Sequence, residues 1–63
     1  MENFDLLKIL IKKYGGIVDR PTKSELQNTV LKEYCRREPI TNDEKSHIAD
    51  IIKQMINNYY DGG

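Results

Sequence analysis

Cysteine, arginine and histidine are the side chains in this 63-residue chain best suited to chemistry, and they are few. The stretch EYCRREPIT, residues 33–41, holds the single cysteine, Cys35, beside Arg36 and Arg37. A thiolate there would be a nucleophile, and the paired guanidiniums would favour it or hold an anion. The surroundings argue otherwise. Cys35 falls near the C-terminal end of an expected helix, where the helix dipole disfavours negative charge. Arg36 and Arg37 suit the unsatisfied carbonyls of a last turn, and Pro39 pushes Glu38 out of the helical region. The stretch reads as a helix stop carrying a half-buried thiol.

The other candidates are weaker still. His47 stands at helical spacing from Asp43 and Asp50, but no nucleophile or second ligand accompanies it, so it reads as a surface histidine. KYGGIV lacks the glycine spacing and the Lys-Ser/Thr of a phosphate loop, and it follows a helix where a strand is needed. No carboxylate pair, Ser/His/Asp set or zinc-ligand spacing stands out. The expectation is a protein that is not an enzyme and takes no metal or cofactor.

Three amphipathic helices must position whatever surface does the work. NFDLLKILIKKY places Phe4, Leu7, Leu10, Ile11 and Tyr14 on one stripe, which predicts a helix over 3–14. Leu6 and Ile9 widen its apolar arc to roughly 220°, more than a three-helix bundle needs. Gly15 is then expected to cap it in a left-handed conformation. PTKSEL announces the second helix, over 23–37, through a capping box of Thr22 and Glu25. Pro21 is placed to pack on Leu26, and Leu26, Val30 and Tyr34 form the buried row. The same device recurs as Thr41 and Glu44 before a third helix over 42–60. That helix puts Ile48, Ile51, Ile52, Met55, Ile56 and Tyr59 on one side. The fold expected is an all-α three-helix bundle in one domain, with Ile17 and Val18 as a small lid and residues 61–63 frayed.

So small a domain buries only about 60% of its unfolded surface, and a single cysteine offers no internal disulfide. Marginal stability follows, with completion of the core by a second copy as one remedy. The longest apolar run, Ile9 to Ile11, cannot span a membrane. No signal-peptide pattern begins the chain, so a reducing, cytoplasmic setting is expected.

Ten basic and ten acidic residues cancel, and the surplus of acid lies in residues 40–63. A neutral chain with surplus apolar surface on its first helix suggests a protein–protein interaction regulator, an adaptor or inhibitor of a larger protein. Homodimerisation is also expected. Leu6, Ile9 and Lys13 with Tyr60 are the candidate partner-binding residues, Tyr60 because amphipathic aromatics suit interfaces. The alternative is a helix-turn-helix-like DNA-binding regulator using Arg20, Lys23, Asn28, Lys32 and Arg36. Neutral charge and Asn42, Asp43 and Glu44 at the start of the third helix disfavour it, because phosphates would be repelled there.

Overall fold

The computed structural model describes residues 3–16 and 20–62. Three helices form in order: α1, Phe4–Gly15; α2, Lys23–Arg37; and α3, Asn42–Asp61. The chain is an all-α three-helix bundle, and no strand occurs among the described residues. The start of α1 meets the end of α2, where the Asn3 N–H donates to the Tyr34 hydroxyl at 2.9 Å and Asn3 Nδ2 to Glu38 Oε1 at 3.1 Å. The start of α2 meets the end of α3 through Lys23 and Asp61. The helices therefore run up, down and up, with α1 and α3 parallel.

Each helix begins on a side-chain cap. Asn3 accepts from the Leu6 N–H, Thr22 from Glu25 and Thr41 from Glu44. These bonds occupy backbone donors that the first turn leaves without intrahelical partners. Thr41 and Glu44 close the full reciprocal box. At Thr22 only the threonine half forms among the described residues. α2 ends as Glu38 turns to extended backbone, its N–H reaching the Tyr34 carbonyl at 2.9 Å. Arg36 and Arg37 share Glu33, at 3.0 and 3.8 Å. The EYCRREPIT stretch is thus a helix stop. α3 runs through Asp61, and the Gly62 N–H bonds the Asn58 carbonyl at 2.7 Å.

Leu7, Leu10 and Ile11 from α1, Leu26, Val30 and Tyr34 from α2, and Ile48, Ile52 and Ile56 from α3 make the core. Two expectations need correction. Phe4 does not join the buried stripe: it is 49% exposed. Phe4 is the first residue of α1, at the end of the stripe, and α1 packs only sparsely on α3. Gly15 is not a left-handed cap but the last residue of α1, buried, and the Gly16 cap has φ −93°. A Cβ on Gly15 would lie 2.8 Å from Leu26 Cδ2 and 3.3 Å from Tyr59 Cε2. Glycine is there for space, where all three helices converge. The expected lid at Ile17 and Val18 falls outside the described residues.

The Thr41 box makes a pH-dependent contribution. Thr41 donates its N–H (3.2 Å) and its hydroxyl (3.1 Å) to Glu44 Oε1. These bonds hold the Glu44 carboxyl below its usual value. A depressed folded pKa adds stability above the unfolded carboxylate range, and this is lost as pH falls through the folded value. Thr41→Ala is expected to cost about 1 kcal/mol at neutral pH. Thermal melts across the acid range should show the variant's deficit shrinking as pH drops. The Thr41 N–H remains in this variant, so an unchanged deficit would mean that the hydroxyl's bond to the Glu44 carboxylate adds nothing.

Candidate partner-binding groove

α2 packs closely on both neighbours, whereas α1 and α3 touch each other far more sparsely. A trough opens between them, about 380 Å³ in volume and lined by Lys8, Ile11, Lys12, Met55, Asn58 and Tyr59. Its floor is apolar, formed by Ile11, Met55 and Tyr59. Lys8 and Lys12, one turn apart on α1, make one rim. Phe4 precedes Lys8 by one turn and Ile11 by two, so the same stripe continues the apolar surface toward the start of α1. No carboxylate among the described residues lines this groove. At 100° per residue Asp43, Asp50 and Asp61 share one line on α3, about 120–140° from Met55.

The four candidate partner-binding residues are spread over two places. Leu6 is half-buried against the core, while Ile9 is 61% exposed on the outer side of α1. Lys13 lies on that side, its Nζ 5.4 Å from the Tyr14 ring centre. Tyr60 faces the start of α2 instead. Its hydroxyl donates to the Pro21 carbonyl, and the Arg20 guanidinium lies 4.5 Å from its ring centre and 5.3 Å from that of Tyr59. One isolated exposed isoleucine is ordinary for a soluble surface.

The five residues of the nucleic-acid alternative also divide. Arg20 is held by the two tyrosines and donates to the Gly15 carbonyl at 3.4 Å. Lys23 pairs with Asp61 at 3.2 Å. Asn28, Lys32 and Arg36 do converge, lining an open groove of about 440 Å³ with Leu31, Cys35 and Lys45. Lys45, from the first turn of α3, adds a cation that the residue spacing did not associate with α2. Cys35 is half-buried there.

No group of histidine, cysteine, aspartate and glutamate among the described residues can hold a metal ion. No helix among them is long and apolar enough to cross a membrane. Family models, curated proteins and solved structures yield no match to this chain.

The residues that sequence reasoning missed are Lys8, Lys12, Met55, Asn58 and Tyr59 as a unit. The signal available was the i, i+4, i+7 series Phe4, Lys8, Ile11, which sets a cation inside an apolar stripe. Helical periodicity assigns Ile11, Met55 and Tyr59 equally well to a closed core, because it does not report the distance between neighbouring helices.

Proposed function

We propose that the protein is a non-enzymatic protein-binding module whose partner docks in the groove between α1 and α3. The observation that carries this reading is the sparse α1–α3 packing, which leaves an open groove with an apolar floor, while an exposed Phe4 lies one turn before Lys8 on α1. Two parallel helices with a trough between them offer a bed for another apolar segment, and burial of apolar surface is the main favourable term in association. An adaptor or inhibitor acting on a larger protein fits this surface.

The lysines are natural reporters. Lys8 and Lys12 mark the groove, Lys13 the outer side of α1 near Ile9, and Lys32 and Lys45 the cationic groove of α2. Amine-reactive cross-linking to partners from a cell extract, read by mass spectrometry, should concentrate on Lys8 and Lys12. Cross-links confined to Lys13, or to Lys32 and Lys45, would move the interface and defeat this reading.

A second reading keeps DNA binding, favoured by one specific observation: Asn28, Lys32, Arg36 and Lys45 line a single groove. Phosphate contacts make such binding strongly salt-dependent. Fluorescence anisotropy with a random-sequence duplex should show binding at about 50 mM salt that collapses by about 200 mM if this reading holds. The Lys32→Ala/Lys45→Ala variant should then weaken it. No binding at the lower salt would remove the second reading.

A further inference from the structure

We infer that the partner presents an amphipathic helix whose apolar ridge is flanked by acidic residues, seated in the α1–α3 groove as a fourth helix. The inference rests on the protein-binding reading and adds the chemistry of the occupant.

Shape comes first. The stripe from Phe4 to Lys12 is about 12 Å long at 1.5 Å per residue, two turns of helix. Ile11, Met55 and Tyr59 lie below it between two parallel helices. An incoming helix with apolar residues at i, i+3, i+4 and i+7 places its ridge along such a trough. An extended strand has no sheet edge to join, since no strand occurs among the described residues.

Charge then selects among helices. Lys8 and Lys12 form a cationic rim, about 6 Å apart along the axis, and no carboxylate among the described residues lines the groove to balance them. Neither lysine is in a salt bridge among the described residues. A flank of aspartate or glutamate at i and i+4 meets both. A basic flank meets like charge and is disfavoured.

A second copy of this chain fits poorly. The large hydrophobics exposed among the described residues are Phe4 and Ile9, both on α1. α1 carries one acid, Asp5, against Lys8, Lys12 and Lys13. Asp43, Asp50 and Asp61 of α3 lie on a line with Gln54 and Asn57 nearby, away from its apolar side, and the fourth acid, Glu44, is engaged by Thr41 in the capping box. No surface of the described chain joins an exposed apolar ridge to an acidic flank, so the occupant is a different chain.

The test uses two peptide display libraries with the same randomised apolar ridge, one with Asp/Glu fixed on the flanks and the other with Lys/Arg. Selection on the full chain should enrich binders from the acidic library. Synthetic peptides from that pool should bind about tenfold more tightly than their basic-flanked counterparts, as expected for two exposed ion pairs. The preference should shrink with added salt and invert in Lys8→Glu/Lys12→Glu, whose substitutions are both exposed. Amide shift changes on binding should map to residues 8–12 and 55–59. Equal recovery from both libraries would overturn the acidic flank yet leave the groove reading intact. Shift changes centred on residues 28–36 would overturn the inference, as would concentration-dependent self-association abolished by Lys8→Glu/Lys12→Glu. Failure of both libraries would overturn the helical occupant, and the cross-linking pattern then decides separately whether the groove binds protein at all.

Discussion

Tyr34→Ala is expected to leave the chain largely unfolded at 25 °C, losing the helical circular dichroism that Tyr34→Phe retains. Tyr34 is the largest of the fully buried side chains, with no exposed surface, and the last turn of α2 sets it against the start of α1. Removing a buried aromatic ring costs about 3–5 kcal/mol. A single core in a domain this small rarely supplies more than that in total. The loss and the stability are therefore of one size, and the native state should not survive.

Tyr34→Phe separates the ring from its hydroxyl. That oxygen accepts the Asn3 N–H at 2.9 Å, next to the Asn3 side chain that caps α1 and reaches Glu38. Without it the N–H loses its acceptor, at a cost of about 1 kcal/mol. The melting temperature should fall by roughly 4–8 °C with the fold intact. Amide exchange should quicken first in the opening turn of α1. If Tyr34→Ala melts only a few degrees below wild type, the ring does not hold the core together.

The contrast between these positions shows what could be read from residue order. Tyr34 was legible because Leu26, Val30 and Tyr34 recur every four residues between a Thr22 cap and a Pro39 boundary. Each local signal there agrees with the next. Thr41 and Glu44 were legible for the same reason, since a capping box is closed by residues three apart. Phe4 was not. Its spacing from Leu7 and Ile11 fits a buried stripe, yet at the first position of α1, a helix that packs sparsely on α3, it is exposed. The groove depends on that sparse packing, so its lysines looked like ordinary solvent-facing residues. Tyr60 was equally opaque: its partners Arg20 and Pro21 are about 40 residues away, and no local rule connects them.

Gly15 was misread for a related reason, and it yields the second large effect. A glycine after a helical stripe usually provides a left-handed cap. Here the cap is Gly16 with negative φ, and Gly15 is helical and buried. Gly15→Ala should gain from helix propensity, though as the last residue of α1 less than the roughly 1 kcal/mol of a helix interior. The added Cβ would instead meet Leu26 Cδ2 at 2.8 Å and Tyr59 Cε2 at 3.3 Å. Gly15→Val adds two further methyl groups at the same point, and overpacking of this kind costs about 1–3 kcal/mol. With the poorer helical fit of a β-branched residue, the variant should sit at the edge of unfolding. A double-mutant cycle isolates the cause. Leu26→Val withdraws the crowding methyl, so Gly15→Ala should be neutral or destabilising in the native background and stabilising in the Leu26→Val background. That reversal of sign is the signature of close approach. Were Gly15→Ala to stabilise both backgrounds equally, the convergence of α1, α2 and α3 at Gly15 would be looser than its contacts imply. The alignment of α1 against α3, and with it the width of the groove, would then need another determinant.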